Sequence, residues 1–191
     1  MGKIQLRFQE LEKLIPNFEK HSSGKIEAAA KALVVSFISG GKTLICGNGG
    51  SAADSQHFAA EFVNAFSRDL DRKALPAMAL STDTSILTSI SNDFAFENVF
   101  SRQVEAYGKS GDVLIALSTS GVSKNCLNAV KVARMLGMFT IVFTKHSAEI
   151  SQYSDISIEV PSNNTQHIQE CHVLAYHVVA ELVEDEMFRE N

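Results

Sequence analysis

An α/β fold built on five parallel strands is the class this sequence predicts, and three observations predict it. Five short apolar runs, at 43–46, 77–80, 113–117, 139–143 and 156–160, have the length of buried strands. Helical segments separate every consecutive pair, the pattern of a sheet covered on both faces. Glycine-rich or hydroxyl-rich turns leave two of the strands and run directly into helices. Right-handed crossovers then place those turns along one edge of the sheet, where ligands of such folds bind.

The elements follow in order. Ile4, Phe8, Leu11, Ile15 and Phe18 recur at helical spacing, with Lys3, Arg7, Glu10, Lys13 and Glu19 largely on other faces, so an amphipathic helix opens the chain. Pro16 is expected to interrupt or kink it. A second helix over 25–38 is apolar nearly all round (Ala28, Ala29, Ala30, Leu33, Val34, Val35, Phe37), which implies burial on more than one side and a neighbour that another subunit can supply. After strand 43–46 a helix reaches about residue 66, and the polar stretch 67–73 is a loop. Strand 77–80 is followed by helices through residue 107, strand 113–117 by a helix over 124–136, strand 139–143 by a short helix, and strand 156–160 by a long helix from about residue 165. Without internal repeats or low-complexity segments, 191 residues with 45% hydrophobic content suit one well-buried domain.

Composition excludes several function classes. Seventeen basic against 22 acidic residues give a net charge of −5 with no basic cluster, so nucleic acid is not an expected partner. No apolar run approaches the ~18 residues of a membrane span, and the charged N-terminus lacks a signal-peptide core, so a cytoplasmic location is expected. Cys46, Cys126 and Cys171 are odd in number and lie in apolar or helical contexts, reading as reduced thiols packed as small hydrophobes.

The stretch most informative about chemistry is GNGGSAADSQHFAAEF, residues 47–62. Gly47, Gly49 and Gly50 permit positive φ and close approach of a ligand to the backbone, and Ser51 is the expected helix cap. Unpaired amides at the helix start favour an anionic or polyhydroxylated ligand. His57 and Glu61 follow at i, i+4 on one helix face, suited to proton transfer or metal binding. Neither of two nucleotide motifs fits. SGGKT lacks the glycine five positions before Gly41, where Ser36 stands, and it precedes a strand instead of following one. GNGGS places Ala52 three residues after Gly49, and no acidic residue ends the next strand, so no nucleotide cofactor is expected. The third strand exits into STSGVS, 118–123, whose hydroxyls and free helix-start amides make a phosphate cradle on the same edge. Asn92 and Asp93 in an SNDFAF turn are candidates for sugar hydroxyls. In QECHVLAYH of the last helix, Gln169 and His177 lie two turns apart on roughly one side, while His172 reads as a hydrogen-bonded core histidine.

Taken together, GNGGS, the His57 and Glu61 pair, NDF at 92–94, STSGVS and QECHVLAYH resemble the phosphoheptose isomerases of the sugar isomerase (SIS) domain superfamily, over nearly the whole chain. The resemblance implies a single SIS domain, a flavodoxin-like three-layer sandwich, with the N-terminal helical segment of about residues 1–39 packed at the core of a homotetramer. It implies conversion of sedoheptulose 7-phosphate into D-glycero-D-manno-heptose 7-phosphate, toward the heptose of bacterial surface glycans. Ser118, Thr119, Ser120 and Ser123 would hold the phosphate, and Asn48, Gly49, Gly50, Ser51, Asn92 and Asp93, with Glu61 and Gln169, would line the sugar. Glu61 and His177 would be the catalytic pair, and His57, Glu61, Gln169 and His177 the ligands of one zinc ion per subunit. Two positions depart from the family pattern: Ala65 stands where many members carry arginine, and Gln166 where some carry an acidic residue. The competing class is a non-catalytic SIS domain, either a sugar-phosphate sensor or the paralogue that binds the replication initiator. Resemblance to that paralogue would predict replacement of Glu61 and His177, and both are present.

Overall fold

The computed structural model describes residues 2–189. Its five strands are β1 (Thr43–Gly47), β2 (Ala77–Ala79), β3 (Val113–Ser118), β4 (Phe139–Lys145) and β5 (Ile156–Val160). They form one parallel sheet in the order β2-β1-β3-β4-β5. The α-helices are α1 (Lys3–Ile38), α2 (Gly50–Val63), α3 (Thr84–Asp93), α4 (Ser101–Tyr107), α5 (Lys124–Met135) and α6 (Thr165–Phe188), with short 3-10 turns at Phe96–Asn98 and Glu149–Tyr153.

Alternation along the strands sorts their side chains into two cores. Ile45, Val113, Ile115, Leu117, Ile141 and Phe143 meet α1, α2 and α6 on one face. Leu44, Cys46, Leu114, Ala116 and Val142 meet α4 and α5 on the other. The chain leaves β1 toward β2 on one side and β3 opens the other, so the strand order reverses between β1 and β3. That switch point puts the 47–50 turn and the 118–123 loop side by side at the carboxyl edge. Cys46, Cys126 and Cys171 are all free and buried, as expected of packed thiols.

Two local expectations differ from the structure. The two leading helices are a single 36-residue helix, α1, with Pro16 inside it. Pro16 and Glu12, whose carbonyl loses its partner, both lie on the exposed face, so water replaces the missing bond. Gly40, at φ 77°, ends α1: its amide and that of Gly41 return to the Phe37 and Ser36 carbonyls at 3.1 and 2.8 Å. In the single chain Val35 and Ile38 of this helix are 64% and 72% exposed, a face left for the neighbour that its apolar sequence calls for. Second, α2 ends at Val63, short of residue 66, where the chain turns to meet an ion pair.

That pair joins Arg72 of the 64–76 connection to Glu184 of α6, 2.6 Å apart and both almost fully buried. Glu184 also accepts from the Phe66 and Ser67 amides at 2.9 and 2.8 Å. Arg72 in turn donates to the Glu61 carbonyl at 2.7 Å and to the Phe62 and Lys73 carbonyls at 3.0 Å. Every charge-bearing group is thus partnered, and the otherwise orphaned carbonyls ending α2 are satisfied. At the far end of α6, His167 bonds Glu10 of α1 at 3.0 Å and Glu170 at 2.9 Å, which raises its pKa above the ordinary value of 6.5.

Removing Glu184 leaves Arg72 a buried, uncompensated cation, and Glu184→Ala should cost about 3–5 kcal/mol in urea unfolding. Burial alone would raise the Glu184 carboxyl, but Arg72 and the two amides outweigh it and hold the value below 4.5. Its stabilisation is therefore complete above the unfolded value of 4.5 and lost as pH falls through the lower folded one. A Glu184→Ala protein whose stability matches wild type at pH 7 would refute this role.

Candidate active site

The cleft is assembled by three elements that meet at the carboxyl edge. The first is the turn between β1 and α2. Gly49 occupies the N-cap of α2 with φ 55°, and no side chain caps the helix: the Ala52 and Ala53 amides return to the Gly49 carbonyl at 3.1 and 3.3 Å, and the Gly50 and Ser51 amides before them are left without a side-chain cap. Ser51 is accordingly not the cap: it is buried in the first turn of α2. Gly47 and Gly50 need glycine for space, not for φ. A Cβ at Gly47 would strike the Ser51 backbone, and one at Gly50 would fall on the side-chain amide of Gln169.

The second element is the loop between β3 and α5. Ser118 Oγ accepts from the Gly121 amide at 3.1 Å and donates to Ser123 Oγ at 3.4 Å, while Ser120 Oγ lies 3.5 Å from Ser123 Oγ. Gly121 takes φ 69°, and a Cβ there would collide with Thr144 and Ala148. Ser123 begins α5 without capping it, leaving the helix-start dipole open beside three hydroxyls. Thr119 sits half-buried within the same loop.

A reciprocal amide pair locks the two loops together. Asn48 Nδ2 donates to Asn125 Oδ1 at 2.9 Å and Asn125 Nδ2 donates to Asn48 Oδ1 at 2.7 Å. Asn48, expected at the sugar hydroxyls, commits one Nδ2 hydrogen and one Oδ1 lone pair to Asn125, so its side chain also clamps the β1–α2 turn to the start of α5. Nothing in the sequence marks Asn125 for this, since its partner is 77 residues away.

The third element is α6, packed across α2. His57, Glu61 and His177 each offer a ligand atom, and these atoms all lie within 4.8 Å of one another. His57 Nε2 is 2.9 Å from Glu61 Oε1, and the His57 and His177 rings meet edge-on with centroids 5.0 Å apart. Burial, reinforced by the facing His57, lowers the His177 pKa below 6.5, with Glu61 only partly opposing. His177 is therefore a neutral imidazole at pH 7, able to accept or donate a proton. Gln169 of the same helix reaches the start of α2, where its amide lies beside Gly50 and donates from Nε2 to Asp54 Oδ2 at 2.8 Å. Behind them Tyr176 OH lies 2.9 Å from His57 Nδ1. Burial raises the pKa of both Asp54 and Tyr176.

Asp54 and Tyr176 went unassigned in the sequence. The signals were present: Asp54 lies on the His57 face of α2, three residues earlier, and a tyrosine on an apolar helix requires a partner for its hydroxyl. Asn92 and Asp93 are the last two residues of α3, not a free turn, and bond each other at 2.8 Å. Among the described residues no hydrogen bond links them to the cleft loops. His172 is fully buried, but neither ring nitrogen has a well-formed hydrogen bond, and burial pushes its pKa down to about 4. Ala65 is half-buried beyond the end of α2 and Gln166 is exposed in the first turn of α6. A cation does reach the Ala65 region, because Arg72 arrives from the neighbouring loop and binds the Glu61 backbone.

Comparison with known proteins gives a consistent picture. The sequence matches the SIS domain family over residues 8–145. It is 51% identical to a phosphoheptose isomerase of Clostridium acetobutylicum, over 87% of this chain and 85% of that protein. A phosphoheptose isomerase of Synechocystis is 47% identical, over 96% of this chain and 94% of the other. The fold superimposes on the phosphoheptose isomerase of Neisseria gonorrhoeae with a TM-score of 0.90 and 39% identity, covering 96% of this chain and 97% of that one.

The amide clamp is testable by a double-mutant cycle. Asn48→Ala and Asn125→Ala each orphan the other's amide, and the pair should show a coupling energy of about 0.5–3 kcal/mol in urea unfolding. Strict additivity of the two substitutions would remove the clamp from this account.

Proposed function

Because the chain belongs to the SIS domain family and, within it, to the phosphoheptose isomerases, we propose that this cleft converts sedoheptulose 7-phosphate into D-glycero-D-manno-heptose 7-phosphate, a heptose precursor for bacterial surface glycans. The observation that carries the reading is the convergence of Glu61 and His177, from two different helices, beside two anion-binding loops.

The reaction moves one hydrogen from C1 to C2 of the sugar and adjusts two oxygens. Glu61 takes the C1 proton, the electron pair forms the enediol double bond, and the proton returns to C2 from the same carboxyl. His177, neutral at pH 7, moves a proton between O1 and O2 as the carbonyl changes place. Ser118, Thr119, Ser120 and Ser123, with the start of α5, hold the phosphate. Gly49, Gly50, Ser51 and Gln169 line the sugar from the β1 side, with the open amides of α2 donating to it. Asn92 and Asp93 are assigned to sugar hydroxyls on the family resemblance, from the end of α3.

The donor set also suits a zinc ion. Two imidazoles and a carboxylate with ligand atoms within 4.8 Å, from His57, Glu61 and His177, would make a three-ligand set, and the family resemblance adds the Gln169 carbonyl oxygen as a fourth donor. Such an ion would supply Lewis-acid polarisation of the sugar carbonyl.

A homotetramer is proposed on the exposed apolar surface. Ile4 and Phe8 of α1 are 77% and 72% exposed, and a groove of about 360 Å³ between α1 and α6 is lined by Ile15, Phe18, Ile26, Leu174, Val178 and Leu182. Surfaces of this kind on a small chain mark association, here between copies related by closed symmetry. Light scattering should return four chains at micromolar concentration; a stable monomer would contradict the proposal.

Glu61→Gln keeps shape and hydrogen bonding but loses the base, so turnover should fall at least ~10²-fold with substrate binding retained. Because the His177 pKa is lowered, the acidic limb of the wild-type pH–rate profile should lie below 6.5. Proton NMR in deuterated water follows the chemistry directly. Wild-type protein that binds the sugar phosphate without exchanging its carbon-bound hydrogen would make this a recognition module, not an isomerase.

A further inference from the structure

Two side chains that the proposed chemistry leaves without a role, Tyr176 and Asp54, stand directly behind groups that it uses. Tyr176 is fully buried, stacked on Phe58 with centroids 5.0 Å apart and planes at 21°. Its ring meets His57 and His177 edge-on, at 5.6 and 4.8 Å. Packed on three sides, the ring has one position open to it, and that position puts its hydroxyl 2.9 Å from His57 Nδ1. The opposite nitrogen of the same imidazole, Nε2, faces Glu61 at 2.9 Å. Which ring nitrogen carries the proton is set by what holds the other one.

Gln169 presents the same ambiguity in an amide. Its Nε2 donates to Asp54 Oδ2 at 2.8 Å, and its amide lies against Gly50, where no side chain separates it from the β1–α2 turn. An ionised carboxylate only accepts, so flipping the amide would set two acceptors against each other. The carbonyl oxygen of Gln169 is therefore the end left for a ligand.

We propose that Tyr176 and Asp54 are positioning residues that fix which atom the cleft residues present, Tyr176 holding His57 with Nε2 toward Glu61 and Asp54 holding Gln169 with its carbonyl oxygen free. A hydroxyl suits the first task better than a group that only donates or only accepts. It donates to Nδ1 while Nε2 carries the proton shared with Glu61, and accepts from Nδ1–H when Nε2 gives its lone pair to a cation. The ring orientation then stays the same in both states. A phenylalanine keeps the stacking but offers neither bond. The inference rests on the proposed reading of the cleft for its ligands, whereas the orientations belong to the unliganded chain.

The test separates the two levels. Nuclear Overhauser contacts of the His57 ring protons, recorded on metal-free protein without substrate, should report one ring orientation in wild type, with Nδ1 toward Tyr176, and a second, flipped orientation in Tyr176→Phe. Zinc titration against a chromophoric chelator should give about 10- to 100-fold weaker binding in Tyr176→Phe and in Asp54→Ala, the range typical for loss of a group that orients a metal ligand. Asp54→Asn, whose amide oxygen can still accept from Gln169, should recover most of that loss. A His57 ring orientation unchanged in Tyr176→Phe, together with zinc affinities within twofold of wild type in both variants, would overturn the proposal. Wild-type protein that neither binds zinc nor isomerises the heptose phosphate would overturn the proposed function instead, and the ring-orientation spectra would still decide the role of Tyr176.

Discussion

The buried pair of Arg72 and Glu184 is the interaction on which the geometry of the cleft depends. Two charges removed from water are tolerable only when every donor and acceptor finds a partner, and here five hydrogen-bonding neighbours close that requirement. All five are backbone groups, and four of them lie at or just beyond the end of α2, the carbonyl of Glu61 among them. The carboxylate proposed as base is thus pinned through its own main chain to the helix that brings His177. Neither helix can slide along the other without breaking a dry, charged hydrogen bond. A hydrophobic contact at the same place would permit such sliding, because it has no direction.

Above that anchor, the cleft is made by what the chain leaves unfilled. Gly50 lets the Gln169 amide settle against the start of α2, and Gly121 lets the phosphate-type loop lie on Thr144 and Ala148. Uncapped helices at Gly49 and Ser123 leave partial positive charge pointing into the same space. In most proteins those helix ends would be closed by their own side chains. Here no side chain closes them, and the turn and helix start that carry them are held in register by the Asn48 and Asn125 amides.

How much of this could be read in the sequence depends on the range of the interaction that fixes each feature. Strand positions, crossovers and the two loops were legible because apolar runs and glycine or serine turns are local patterns with one stable solution. The His57 and Glu61 pair was legible for the same reason: helical spacing puts both on one face. The interruption allowed for at Pro16 did not occur: α1 runs through it, with Pro16 and Glu12 both on the exposed face, where the freed carbonyl is open to water. The cap assigned to Ser51 moved to Gly49 because the turn tightens two residues earlier than propensity alone suggests.

The sequence by itself determined the fold class, the positions of the glycine-rich and serine-rich loops and, through family resemblance, the candidate residues of the site. Only the tertiary structure decided which of them touch. His57 and His177 are 120 positions apart and Arg72 and Glu184 are 112, and no periodicity reports a contact at that separation. Asn48 became a clamp because α5 places Asn125 opposite it. Tyr176 and Asp54 gained their partners because α6 crosses α2 at the one depth that satisfies a buried ion pair. Residue type fixes what a side chain can do; packing fixes which neighbour it does it with, because a buried polar group must bond to whatever the fold brings within reach.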